Sequence, residues 1–262
     1  MNRSGAILTA LLIASAGLIL RAEEKLRTLT GSCSISATAN ATEVNLRLER
    51  DDCEYTEHCS TTQTQEPLDA FLGFTLADLK REGAHVEAMI RAEAGTLSCS
   101  GGIHDGRMSG GFRFVPDASF ASRMLQMGYH DVDAEKLQAY TLFGIGTDWI
   151  HSLEAAGVRG LSAGNLIALR IFHVDADYVR KLNALGYPTP DAGKLVALKV
   201  QNVQPEEVEQ IRALGYEPTL DELVQIRIFR ITPDFIRRMQ AKGLNGLTIS
   251  KLVQIRIFDL AD

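Results

Sequence analysis

The 262-residue sequence lacks the charge balance that a nucleic-acid-binding protein needs. Its 27 lysines and arginines are outnumbered by 33 acidic residues, so the formal net charge is −6. A protein that grips phosphates presents a basic face, and the composition gives no reason to expect one. Residues 157–161 resemble a helix-hairpin-helix turn, but the second glycine is missing from the equivalent turns at Pro188 and Glu217. We therefore expect no nucleic-acid partner.

Signatures of catalysis and of metal binding are also missing. The six histidines include no His-Glu-x-x-His pair, and the chain has no Gly-x-Ser-x-Gly nucleophile elbow. The glycine-rich stretch 95–116 lacks the Lys-Ser/Thr ending of a phosphate-binding loop, so tight turns and close strand packing explain its glycines better. Glu57, His58 and Cys59 suggest a metal site only if the cysteine is a free thiolate. We expect a non-enzymatic protein without a cofactor or a metal.

The longest apolar run is too short for an ordinary transmembrane helix. It covers residues 5–20, follows Asn2 and Arg3, and falls below the roughly 20 residues that a membrane span requires. This pattern is typical of a signal peptide, so we predict cleavage after Ala22 and export to the periplasm or another extracytoplasmic compartment. The alternative is an uncleaved anchor formed by residues 5–20, which is the only membrane attachment that we expect.

The four cysteines agree with export. All of them precede the second half of the chain, at Cys33, Cys53, Cys59 and Cys99. Four cysteines in one small domain behind a signal segment predict two disulfides, for which three connectivities are allowed. We prefer Cys33–Cys99 with Cys53–Cys59, because residues 53 and 59 flank a predicted hairpin tip.

Period-two alternation dominates residues 28–115. Val44, Leu46 and Leu48, for example, alternate with polar residues, which is typical of a half-buried antiparallel strand. Residues 68–81 have a helical pattern instead. We predict a disulfide-containing β domain, either a small sandwich or a strongly twisted sheet, with one short helix.

The second half, residues 116–262, is periodic. A glycine followed by a hydrophobic residue recurs at spacings of 29, 29, 29 and 28 residues, at Gly128, Gly157, Gly186, Gly215 and Gly243. A fixed period of this size is typical of stacked repeats. The predicted fold class is therefore α+β, with an N-terminal antiparallel β domain followed by an α-solenoid of about five 29-residue helix-turn-helix repeats.

Each repeat contains signals for two helices. Thr232-Pro233-Asp234 is a typical start of the first helix, and Thr219 with Glu222 has the spacing of a capping box at the start of the second. The second helix is apolar around most of its circumference, as in residues 223–229. Such a helix is expected to be covered on most sides, so we place the second helices inside and the one-sided first helices outside.

One position of the repeat is basic within this apolar helix. It holds Arg170, Lys199, Arg227 and Arg256, whereas the first repeat has Thr141. In one interpretation the stems pack and the charged ends reach a helix-end carbonyl or an acid of the next repeat. In the other, these four residues form a basic ladder that lines a groove for an acidic peptide.

The repeat motif Leu-x-x-Ile-Arg-Ile-Phe, followed by Thr-Pro-Asp-Phe-Ile, resembles short helical repeats of bacterial extracytoplasmic proteins. Similar repeats accompany the membrane metallopeptidase domain of BlaR-type antirepressor sensors, and residues 110–116 resemble the end of the domain that precedes them. The peptidase domain itself has no counterpart here, so its activity does not carry over. The resemblance implies an accessory or sensing module in the cell envelope.

These observations predict an exported, non-enzymatic interaction or sensing module whose helical repeats bind a protein partner in the envelope. Two alternatives stay open. One is an enzyme or a small-ligand-binding protein with its site in the β domain. The other is a structural protein of the envelope.

Overall fold

A computed structural model describes residues 26–51, 61–188 and 190–258 of the chain. The fold is α+β, because an antiparallel sheet precedes a series of helices. The chain divides into two compact units, of which the first ends at Thr147 and the second begins at Asp148. Two helices thus belong to the same unit as the sheet, whereas the sequence analysis drew a boundary after residue 115.

Seven strands of the described residues form one antiparallel sheet. They are β1 Leu29–Ala37, β2 Glu43–Arg50, β3 Thr61–Pro67, β4 Phe71–Leu72, β5 His85–Ala92, β6 Gly95–His104 and β7 Arg107–Pro116. Their order is β3-β2-β1-β7-β6-β5-β4. The alternating pattern is confirmed, since Val44, Leu46 and Leu48 of β2 are buried on one face while Asn45 and Arg47 are not.

The prediction of one helix over residues 68–81 is wrong. The segment contains two single-turn 3-10 helices, Leu68–Ala70 and Asp78–Lys80, with β4 after the first of them. Gly73 has a φ of +76°, a left-handed conformation that a right-handed helix cannot continue through. After Gly73, the N–H and the hydroxyl of Thr75 donate to Asp78 Oδ2 at 2.9 and 2.8 Å.

A disulfide joins Cys33 of β1 to Cys99 of β6, with a Cα–Cα distance of 6.2 Å. Strand β7 lies between these two strands, and two strand spacings in a flat sheet are about 9.6 Å. The sheet is therefore sharply curled here. Glycines permit the curl, since a Cβ added to Gly110 would lie 2.0 Å from the Ser100 carbonyl oxygen on the neighbouring strand. The expected Cys53–Cys59 pair and the expected signal peptide, residues 1–22, lie outside the described residues.

Two helices complete the described part of the first unit, α1 Ala118–Gln126 and α2 Ala134–Phe143. Both begin at a capping aspartate, Asp117 for α1 and Asp133 for α2, and Asp133 accepts a hydrogen bond from the Lys136 N–H at 2.8 Å. Helix α2 lies against β5, β6 and β7. Six of its ten residues are buried, including Tyr140 and Leu142, so α2 covers the apolar face of the sheet.

The rest of the described chain is helical. Helix α3 Thr147–Ala155 begins at the last residue of the first unit. The second unit continues with α4 Ala163–Ile171, α5 Ala176–Ala184, α6 Ala192–Val200, α7 Pro205–Arg212, α8 Leu220–Ile228, α9 Pro233–Ala241 and α10 Ile249–Ile257. Helices α4, α6, α8 and α10 contact one another in succession, and α5 contacts α7. Within the described ranges, no helix combines the length and the apolar character that a membrane crossing requires.

The helix ends follow the predicted signals. The five periodic glycines all have φ angles between 82° and 94°, which is the left-handed conformation that ends a helix. They are Gly128, Gly157, Gly186, Gly215 and Gly243. Thr219 and Glu222 form the predicted capping box, and Thr232 accepts a hydrogen bond from the Phe235 N–H at 3.2 Å.

Candidate protein-binding surface

The four basic ladder residues are each engaged inside the second unit. The Arg170 guanidinium lies 5.4 Å from the ring centroid of Trp149, and the Lys199 Nζ lies 4.3 Å from that of Tyr178. The Arg256 guanidinium lies 5.2 Å from the ring centroid of Phe235. Each of these rings belongs to the first turn of the helix that precedes the cation's own helix. The cations are therefore held by cation–π contacts, which stabilise by roughly 0.5–2 kcal/mol each.

Arg227 differs because Glu207 occupies the position of the aromatic ring in its repeat. The Arg227 Nη1 donates to the Glu207 carboxylate at 3.1 Å, and its Nε donates to the Gln201 carbonyl oxygen at 3.0 Å. Gln201 is the C-terminal cap of α6, so this cation satisfies a helix-end carbonyl. This contact is the one that our first interpretation expects, in which the charged end of a ladder residue reaches a helix-end carbonyl or an acid.

The aromatic rings are fixed by their own contacts. The hydroxyl of the buried Tyr178 donates to the Val203 carbonyl oxygen at 3.0 Å, and burial raises its pKa to about 12. The Tyr178 side chain is therefore uncharged near neutral pH, and its hydroxyl hydrogen bond holds the ring under Lys199. Phe235 is only 1% exposed. Tyr178 and Phe235 are buried, whereas Trp149 is half-buried. Lys199 and Arg256 are also half-buried, so part of each cationic side chain remains accessible to solvent.

These contacts bring the C-terminal ends of successive second helices together. Tyr178 follows the end of α4 and lies under Lys199 at the end of α6. Arg227 at the end of α8 bonds the cap of α6, and Arg256 at the end of α10 covers Phe235, which follows the end of α8. The ends of α4, α6, α8 and α10 therefore lie side by side.

An exposed apolar row runs along these four ends. Its members are the last residue of each helix, and they are 44, 50, 51 and 54% exposed: Ile171, Val200, Ile228 and Ile257. Phe172 and Phe258, each the next residue along, are 40 and 68% exposed. We call the four helix-ending residues the apolar row. Our prediction that the second helices are covered on most sides is wrong at this end, because the packing of neighbouring helices leaves these side chains in contact with solvent.

Non-glycine residues in a left-handed conformation follow the row. His173, Asn202 and Arg230 all have a φ of 53°, and all three are exposed. The equivalent residue after α2 is Gly144, with a φ of 62°. A left-handed conformation costs a side-chain-bearing residue about 1 kcal/mol, and such strain concentrates at functional positions. These three side chains extend the exposed surface beside the row.

Sequence reasoning singled out the ladder and missed the row. The signal was present, because an aliphatic residue directly follows each ladder cation in all four repeats. A helical wheel places that residue on an apolar helix, but it does not show which part of the helix the neighbours leave uncovered.

The sheet unit contains two isolated polar features. His85 Nε2 and Ser100 Oγ lie 2.8 Å apart on the exposed face, at the edge of a depression of about 460 Å³ that Asp78, Arg81 and Glu87 also line. Glu66 on β3 is 4% exposed, and burial raises its pKa to about 7. Among the described residues, no three His, Cys, Asp or Glu side chains are grouped as metal ligands would be.

Comparison with known proteins provides no relative for this chain. No family model matches it, and no curated protein or solved structure does.

Proposed function

We propose that this chain is a non-enzymatic, exported interaction module that binds a protein partner in the cell envelope along the apolar row. The exposure of all four row residues carries this proposal. Single exposed apolar residues are common on soluble proteins, but four of them at equivalent helix ends form a pattern that is expected of an interaction surface. A partner that covers the row would remove these side chains from water.

The proposal includes a specific architecture for the second half of the chain. We propose an α-solenoid of about five repeats in which the second helices stack in sequence order. The 29-residue spacing and the successive contacts among α4, α6, α8 and α10 support it. In such arrays each repeat contacts its neighbours, and the surface built from equivalent positions is the usual binding surface.

Export is the third part of the proposal. The Cys33–Cys99 disulfide supports it, because disulfides persist mainly in oxidising compartments. The apolar run at residues 5–20 supports a signal peptide or an anchor. A role as an accessory or sensing module is the function that the resemblance to BlaR-type repeat regions favours.

Site-specific photo-crosslinking in cells tests the binding surface. A photoreactive phenylalanine analogue is placed in the full chain at Val200, on the apolar row, or at Glu209, an exposed position on α7. We expect a discrete partner protein to be captured from Val200 and not from Glu209, and capture to fall when Ile228→Ser is added. Equal capture from both positions, or no capture from Val200, would refute the proposal.

The His85–Ser100 hydrogen bond favours a second candidate, a hydrolase site on the sheet unit. His85 would accept the Ser100 proton as Oγ attacks an ester carbonyl, the alcohol would leave with that proton, and water would release the acid. A fluorophosphonate probe applied to the full chain would then label Ser100. Labelling that is absent, or that persists in Ser100→Ala, eliminates this candidate.

A further inference from the structure

We infer that the partner segment bound along the apolar row is a short peptide that combines apolar with acidic side chains. This inference rests on the proposed function and adds the chemistry of the partner to it. It follows from the charges that flank the row.

A cation directly precedes every residue of the row. Lys199 precedes Val200 and Arg256 precedes Ile257, and the same order holds for Arg170 and Arg227 in the other two repeats. Because these residues lie in the last turn of each helix, each of these four repeats presents a cation and an aliphatic side chain at the same end. A bound segment therefore meets the two kinds of group alternately.

The charges of the cations beside the apolar row are only partly neutralised within the described part of the chain. Arg227 is paired with Glu207, but Lys199 and Arg256 lie over aromatic rings and form no ion pair with any described carboxylate. An aromatic ring attracts a cation without cancelling its charge, and it leaves the other side of the cation free to bind an anion. Arg230 is exposed beside the row and likewise has no ion pair among the described residues.

One acidic residue in the first turn of each of α5, α7 and α9 is paired with a cation outside the ladder. Asp177 is paired with Arg180, and Asp234 with Arg237. Glu206 lies 3.4 Å from Lys181, and its pKa is lowered by its own backbone N–H first and then by that lysine. Lys199, Arg230 and Arg256 thus place positive charge beside the row that no described carboxylate pairs with, and this charge complements a carboxylate-bearing segment.

The size of the row sets the length of the segment. Packed helices lie about 8–10 Å apart, so the three steps between four helix ends span about 24–30 Å. An extended peptide rises about 3.3 Å per residue, so roughly seven to nine residues cover this span. A peptide of about this length could place apolar side chains on the row and carboxylates on the flanking cations.

A random 12-residue peptide display library, selected against the full chain, tests this inference. We expect the recovered peptides to be enriched in aliphatic or aromatic residues together with Asp and Glu. In the double variant Lys199→Glu, Arg256→Glu, recovery of the same peptides should fall about tenfold or more, since each lost charge-assisted contact is worth about 1.5–3 kcal/mol. Lys80→Glu, the same charge reversal at an exposed position of the sheet unit, should leave recovery unchanged.

Three results would overturn the inference. They are enrichment of neutral or basic peptides, equal recovery of acidic peptides on the unmodified chain and on the double variant, and no enrichment at all. Failure of the inference can be told apart from failure of the proposed function. If Val200 still crosslinks a partner while the library yields none of the expected peptides, the row is a binding surface for a partner of different chemistry. If Val200 captures nothing, the surface itself is refuted.

Discussion

Helix α2 and its sequence counterparts α4, α6, α8 and α10 occupy the same position in the repeat but have different surroundings. Leu142 of α2 is 7% exposed, whereas the equivalent residues of the four later helices are 44–54% exposed. Helix α2 lies against β5, β6 and β7, and six of its ten residues are buried. In α8 only two of nine residues are buried. The same position of the repeat is therefore apolar in all five helices, but it is buried in α2 and exposed in the other four.

The ladder position shows the same contrast. Thr141 replaces the cation in α2 and is 2% exposed, while its four counterparts are basic and half-buried. A buried cation would be costly beneath the sheet unless it were paired, so a small neutral residue is suitable there. Helices α4, α6, α8 and α10, whose last residues are exposed, each have a cation directly before that residue. The difference supports the proposal that the exposed helix ends bind a partner.

The largest expected effect concerns the disulfide of the sheet unit. Replacing both Cys33 and Cys99 with serine should lower the free energy of unfolding by about 4 kcal/mol, because the bond closes a loop with a sequence separation of 66 residues. Hydrogen exchange followed by mass spectrometry should show the main loss of protection in β1, β6 and β7. Loss of protection centred on α4–α10 instead would show that the disulfide stabilises the helical unit rather than the sheet.

A matched pair of substitutions tests the contrast between α2 and its counterparts. Leu142→Ala should cost about 2–4 kcal/mol, because it opens a cavity beneath a buried helix. Ile228→Ala should cost less than about 1 kcal/mol, because its side chain is 51% exposed. Urea unfolding of the full chain measures both. Equal costs would show that the row contributes to folding as much as α2 does.

Burial of Glu66 predicts a pH dependence that is specific to the sheet unit. Its folded-state pKa of about 7 lies above the ordinary value of 4.5, so the folded protein retains the proton between these pH values. Stability should therefore fall as the pH rises from 4.5 to 7, by up to about 3 kcal/mol, and then level off. Glu66→Gln should remove this dependence, whereas Glu87→Gln on the exposed face should not. Unfolding curves at pH 4.5, 6 and 8 measure this dependence. If Glu66→Gln shows the same change in unfolding free energy with pH as the unmodified protein, Glu66 is not its source.

The smallest effect concerns the left-handed residues beside the row. Arg230→Gly should raise the free energy of unfolding by about 0.5–1 kcal/mol, since glycine adopts a φ of 53° without the side-chain penalty. Glu209→Gly, within helix α7, should instead lower it by about 1 kcal/mol. A destabilising Arg230→Gly would mean that the Arg230 side chain supports the fold.

The local elements of this protein could be read from the sequence because their causes are local. Alternation predicted strand β2, and the capping residues Thr219 and Thr232 marked helix starts. The helix expected over residues 68–81 failed because the left-handed Gly73 interrupts it. Burial of Glu66 could not be foreseen from the polar sequence of β3, since it depends on which face of the sheet the strand presents.

The proposed binding surface could be predicted from the sequence only in part. The basic ladder was visible as a column of charges, but its aromatic partners depend on the packing of separate helices. The apolar row looked like core, because hydrophobicity alone does not distinguish a side chain that the fold covers from one left for a partner. That distinction needs the three-dimensional neighbours of α2 and of α8.

The most direct test of the central claim measures stability and partner capture on the same variant, Ile228→Ser in the full chain. We predict that its free energy of unfolding stays within about 1 kcal/mol of the unmodified protein, while the yield of partner crosslinked from Val200 falls severalfold. An unchanged crosslinking yield, or a large loss of stability, would contradict the claim that the apolar row is a binding surface rather than part of the core.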